Sequence, residues 1–238
     1  MSDQQHIASA YDRDLEAIQA QIMKMGGLVE AAITNSVEAL VKRDIEAAED
    51  VRAADKKIDA LEENVNEAAA RTIALRAPMG PDLRTILSVM KISGDLERIG
   101  DYAKNLAKRT SILAETGPVN GSDTGIKRMA KEVEVMLTNV LDAYIQRDAA
   151  LAENVIARDE EVDRMYNALF REFLTYMMED PRNITACMHL HFIAKNVERM
   201  GDHVTNIAEQ VIYVVTGEMP DEGRIKADMT SVDGYKAG

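Results

Sequence analysis

Eight acidic residues of the chain fall into four pairs at i,i+4 spacing: Asp55 and Asp59, Glu97 and Asp101, Asp159 and Asp163, Glu198 and Asp202. On an α-helix that spacing keeps both carboxylates of a pair on one face. Like charges so placed repel by about 0.2–0.5 kcal/mol per pair. Two such pairs meeting from neighbouring helices, partly out of water, call for protonation or a cation. Hard divalent or trivalent cations bind carboxylate oxygens and supply that relief. The chemistry these residues suggest is cation binding, with all eight acids as candidate metal ligands.

The pairs belong to an internal repeat. At an offset of 101 residues, Glu97, Arg98, Gly100, Asp101 and Asn105 are answered by Glu198, Arg199, Gly201, Asp202 and Asn206. Upstream, Asn35, Ala39, Arg43, Asp44, Asp55, Ile58 and Asp59 are answered at an offset of 104 by Asn139, Ala143, Arg147, Asp148, Asp159, Val162 and Asp163. A repeat serving packing alone needs its apolar stripe; this one also carries acids, an arginine and an amide. A single acid pair at this spacing is ordinarily a solvated helix face, and Asp55 has Lys56 and Lys57 beside it. Recurrence at equivalent positions favours metal binding. Asn105 and Asn206, one turn on, can offer a carbonyl oxygen or orient a water. Arg98 and Arg199 point about 100° away from the glutamates and read as partners around the site, not ligands.

The elements that must position these groups read as helices. Leu15, Ile18, Ile22, Met25, Val29, Ala32, Ser36 and Leu40 step by three and four along an amphipathic helix over 9–43, with Gly26-Gly27 as an expected weak point or kink. A second helix is expected over 45–76, capped by Asp44 after a short turn, and a third over 82–115. The stretch 116–125, rich in Gly, Pro and small polar residues, reads as a linker, after which the pattern restarts. The expected fold is all-α: two tandem antiparallel three-helix bundles related by pseudo-twofold symmetry, over 9–115 and 126–217. The tail, 218–238, has no period and is expected to be disordered.

Composition narrows the function. A net charge of −13 argues against nucleic-acid binding and for cations or basic protein surfaces. Cys187 is the single cysteine, which fits a reduced, cytoplasmic setting. No signal peptide is expected from the N-terminus, and no apolar run approaches the roughly 20 residues that span a bilayer. The sequence offers no Glu-x-x-His motif, no phosphate-cradling glycine loop and no Ser/His/Asp or Cys/His set. His191 reads as a core histidine and His203, beside Asp202, as a neighbour of the site; Tyr102 takes its place in the first copy.

With Glu97-Arg98-Ile99-Gly100-Asp101, Glu198-Arg199-Met200-Gly201-Asp202 and the two Asp-x-x-x-Asp pairs in view, the chain resembles the PhoU family of phosphate-signalling regulators over about residues 9–217. The resemblance implies multinuclear metal clusters held by the eight acids, iron clusters among the options, with zinc, manganese, magnesium or calcium as alternatives. It also implies a cytoplasmic homodimer that meets the membrane only through partners. Those partners would be the ATPase subunit of the high-affinity phosphate ABC transporter and the sensor histidine kinase. The implied role is non-enzymatic: negative regulation of phosphate uptake and of the starvation response. Where the copies differ, Asp95 faces Asn196, Glu62 faces Tyr166 and Glu63 faces Asn167, so the two sites are expected to differ in charge.

Two other functions compete: a metal-dependent hydrolase or redox enzyme on a carboxylate centre, and a metal-storage protein. The first lacks a separate base or nucleophile; the second requires uptake far beyond two small sites. At the hairpin tips, Asp44 and Asp148 read as helix caps, and Arg43 and Arg147 as a repeated partner contact.

Overall fold

The computed structural model of the chain describes residues 2–119 and 121–220. Among them are α1 (Ser2–Lys42), α2 (Ile45–Ala54), α3 (Lys56–Arg76), α4 (Pro81–Ala114), α5 (Ser122–Gln146), α6 (Ala149–Glu179) and α7 (Ile184–Thr216). A single 3₁₀ turn, Pro181–Asn183, precedes α7, and the described residues include no strand. The fold is all-α, as the three-and-four stepping of apolar residues requires. Residues 221–238 of the tail expected to be disordered lie outside the described residues.

Both hairpin tips are built alike, which explains the repeated Arg-Asp. Arg43 and Arg147 take the left-handed conformation that ends a helix, with φ of 54° and 52°. The next residue then caps the following helix: Asp44 accepts from the Ala47 amide and Asp148 from the Leu151 amide, each at 3.0 Å. Arg43 also turns its guanidinium inward, where Nη1 donates to the carbonyls of Leu113 (3.0 Å) and Thr116 (2.5 Å) and closes the end of α4. Arg147 is exposed.

Three elements differ from expectation. The helix expected over 45–76 comes as α2 and α3, which meet at Asp55. There the ladder tightens, since the Ile58 amide reaches back only to the Asp55 carbonyl, at 2.8 Å. α1 is continuous through Gly26-Gly27, where a weak point or kink is expected. A Cβ on Gly26 would come within 2.5 Å of Leu141, so this glycine lets α5 approach. Finally, α5 begins at Ser122, inside the stretch read as a linker.

α1 packs on α2, α3 and α4, and α7 on α5 and α6. The two sets join through α4 against α7 and α1 against α5. α4 and α7 run antiparallel, with Arg84 beside Tyr213, Asp95 beside His203 and Arg109 beside His189. One buried apolar cluster therefore runs from Tyr11 to Ile212 through both halves. A separate small one (Ala39, Ala48, Val51 and Ala107) lies under α2.

Candidate metal centre

The first cluster forms where the start of α3 lies against the middle of α4. Asp55 is buried at the junction of α2 and α3, Asp59 follows one turn on, and Glu97 and Asp101 come from α4. Lys104, three residues past Asp101, joins the two helices: its Nζ donates to Asp55 Oδ2 at 2.5 Å and to Asp101 Oδ1 at 2.9 Å. The two acids raise the ammonium's pKa in return. Burial pushes the Asp59 carboxyl above its usual range, and the charges of Asp55, Asp101 and Glu63 add to it against the pull of Lys104. Burial likewise raises Glu97, with Asp101 the next cause and Asp59 a smaller one, while Arg98 opposes them. Asp59 and Glu97 thus both feel the charge of Asp101, and Glu97 that of Asp59.

The second cluster lies between α6 and α7. Asp159, Asp163 and Glu198 are only 7%, 6% and 5% exposed, and Asp202 is half-buried. Its lysine comes from another direction. Lys195, three residues before Glu198, donates to Glu198 Oε1 at 2.7 Å and lies 5.0 Å from the centre of the Tyr166 ring.

A glycine backs each cluster. A Cβ on Gly201 would sit 3.0 Å from Asp159 Oδ1, and one on Gly100 would sit 2.9 Å from Ile58 and 3.6 Å from Asp55 Oδ1. The Asp159 carboxylate takes the space a side chain at 201 would need, and Ile58, with Asp55 in van der Waals contact beyond it, takes the space at 100. Asp55 Oδ1 is buried there without a hydrogen-bond partner. An all-oxygen donor set, this orphaned oxygen and the room beside it fit a hard cation in kind. Among the described residues, however, no three His, Cys, Asp or Glu side chains are arranged to hold one ion together. In the first cluster Lys104 draws Asp55 and Asp101 onto its own nitrogen.

The flanking residues sort differently from each other. Arg98 lies loosely beside Glu97 and Asp101, at 3.7 and 4.0 Å, and is mostly exposed. Arg199 lies over the Tyr102 ring, tying α7 to α4. Asn105 is exposed, whereas Asn206 donates to Asp95 at 3.3 Å across the α4–α7 contact. His203 Nδ1 lies 2.7 Å from the same Asp95 oxygen. His191 packs among the rings of Tyr166, Phe170 and Phe192.

Sequence reasoning missed the two lysines. Their signal was the i,i+3 spacing to Asp101 and to Glu198. Comparing the repeats hid it, since Thr205 stands at the position of Lys104 and Gly94 at that of Lys195.

A family model described as the PhoU domain matches residues 22–110 and again 126–211. The chain is 48% identical over 229 residues to a phosphate-specific transport system accessory protein PhoU homolog of Rhizobium meliloti, covering 96% of this chain and 97% of that one. It is 46% identical over 227 residues to the Caulobacter vibrioides protein of the same description, covering 95% and 99%. Among solved structures it is similar to PhoU from Pseudomonas aeruginosa, with a TM-score of 0.85 at 40% identity over 87% of this chain and 100% of that one. It is also similar to the phosphate transport system regulatory protein PhoU from Streptococcus pneumoniae, with a TM-score of 0.82 at 30% identity over 89% and 99%.

Proposed function

This chain belongs to the PhoU family, and from that premise we propose that it is an accessory regulator of phosphate uptake whose two carboxylate clusters bind metal cations. The family is one of accessory and regulatory proteins by name, not of enzymes. The finer role is negative regulation. The protein restrains the phosphate-specific transporter when phosphate is plentiful and passes that state to the sensor histidine kinase. It does so in the cytoplasm, as a homodimer, reaching the membrane through its partners. None of the described helices is long and apolar enough to cross a membrane, which accords with that placement.

The observation that carries the metal reading is the meeting of Asp55 and Asp59 with Glu97 and Asp101; in the second half Asp159, Asp163 and Glu198 are buried and Asp159 lies against Gly201 of α7. A cation in each cluster would be held by these acids and would supply charge neutralisation, tying α3 to α4 and α6 to α7. Oxygen donors accept iron, manganese, magnesium, calcium or zinc. What the chain itself contributes is the setting: Gly201 leaves room for Asp159 and Gly100 for Ile58 beside Asp55.

The regulatory reading is tested by deleting the gene and following phosphate uptake and phosphate-responsive transcription. Starvation genes should be expressed at high phosphate in the deletion strain. An unchanged phosphate response, with no association between the protein and the transporter's ATPase subunit in pull-downs, would contradict it.

A further inference from the structure

Each carboxylate cluster carries a lysine, and the two lysines occupy unrelated positions of the repeat. Lys104 bonds both helices of its cluster, through Asp55 Oδ2 and Asp101 Oδ1. At the equivalent position Thr205 is buried and turns its hydroxyl onto the Asp202 carbonyl at 2.7 Å. Lys195 instead stands at the Glu198 end of the second cluster.

The Lys104 side chain is 39% exposed, whereas that of Asp55 is 4% exposed. The ammonium thus reaches the acids from the surface and has solvent to return to, while Asp55 cannot follow it. Lys104 holds Asp55 Oδ2 and Asp101 Oδ1. A metal on either oxygen competes with it directly, and one on the orphaned Asp55 Oδ1 lies a carboxylate's width away, where the two cations repel.

We propose that Lys104 is a tethered counter-ion of the first cluster, and that a divalent cation enters there by displacing its ammonium from Asp55 and Asp101. The proposal rests on reading the clusters as cation sites. It makes the two sites unequal: the first carries an internal competitor that bridges its two helices, the second has Thr205 in that place. It also gives cation binding an outward consequence. The displaced ammonium joins exposed Lys108, one turn further along α4, so that occupancy changes the charge presented by that helix.

The test is a manganese(II) titration of the full chain, read by the electron paramagnetic resonance of the free ion. An E198Q/D202N background leaves the first cluster to report. Lys104→Met keeps the aliphatic stem and removes the charge; Lys104→Gln is the second variant. Both should bind manganese(II) about tenfold or more tighter than the lysine-bearing protein, as expected for removing two charge-assisted hydrogen bonds from the competing state. Both should also melt lower than that protein without metal and recover when manganese(II) is added. Equal or weaker binding in both variants, or a lower melting point that manganese(II) does not restore, would overturn the exchange. Absence of manganese(II) binding in every folded protein, wild type included, would overturn the cation reading and the exchange with it.

Discussion

Asp59 and Glu97 are the acids of the first cluster to which Lys104 gives no hydrogen bond, and they carry its electrostatic strain. Both are held above their usual pKa, first by burial and then by neighbouring carboxylates. A carboxyl with a higher pKa folded than unfolded binds more protons in the native state. Its contribution is therefore fully present below the unfolded value and is lost as pH rises through the folded one. Without cations, the stability owed to this pair should decline as pH climbs above the ordinary values of 3.8 and 4.5. Asp59→Asn/Glu97→Gln should remove that decline and gain on the wild type between pH 5 and pH 8. Thermal unfolding in chelator at the two pH values measures it, and an unaltered pH dependence would contradict the strain. The glycines give a second prediction. Alanine at Gly201 meets Asp159 at 3.0 Å, so about 1–3 kcal/mol of overpacking opposes about 1 kcal/mol of helix propensity. Alanine at Gly94, with nothing within 4 Å, should stabilise by about 0.5–1 kcal/mol. Comparing the melting points of the two variants decides it. The acids and the backing glycines were legible in the sequence because the repeat marks them twice. Lys104 and Lys195 were not, because each occurs in one copy only.

At the scale of elements, α2 is the thinly held piece. It buries only Ala48 and Val51, which meet Ala39 and Ala107 in a small cluster apart from the main core. A groove beside it is lined by Ala31, Ala32, Ala47 and Ala54. In the second half the matching positions are Val135, Met136, Leu151 and Arg158, and Arg158 is paired with Glu132 at 2.7 Å. Little apolar burial lowers the cost of local opening. Backbone amides of α2 should therefore exchange with deuterium about tenfold faster than those of residues 149–158. Equal protection would show that α2 is as well fastened as its counterpart. The caps belong to this scale too: Asp44→Ala or Asp148→Ala should each cost about 1 kcal/mol, or 2–4 °C in melting temperature. The helices themselves could be read from apolar spacing, as the buried run Ile18, Ile22, Met25, Val29 illustrates. The break at Asp55 could not, because the i,i+4 pattern of Asp55, Asp59 and the Ile58 stripe passes through it unchanged. Nor could the role of Gly26, which depends on Leu141 of a helix distant in sequence.

Across the whole molecule, the antiparallel contact of α4 with α7 joins the two halves, and each of these helices supplies two acids to its own cluster. A cation in either cluster therefore acts on one member of the central pair. For a chain of net charge −13, multivalent cations at these points also offset repulsion that opposes the compact state. Manganese(II) at about 100 times its dissociation constant should stabilise the protein by about 2.7 kcal/mol per site. The most direct test of cation binding by the repeated acids is metal content after purification without chelator. The wild type is compared with Glu97→Gln/Asp101→Asn/Glu198→Gln/Asp202→Asn, both verified as folded. The wild type should carry bound metal and the variant should lose it. A metal-free wild type, or equal metal in both, would contradict cation binding there.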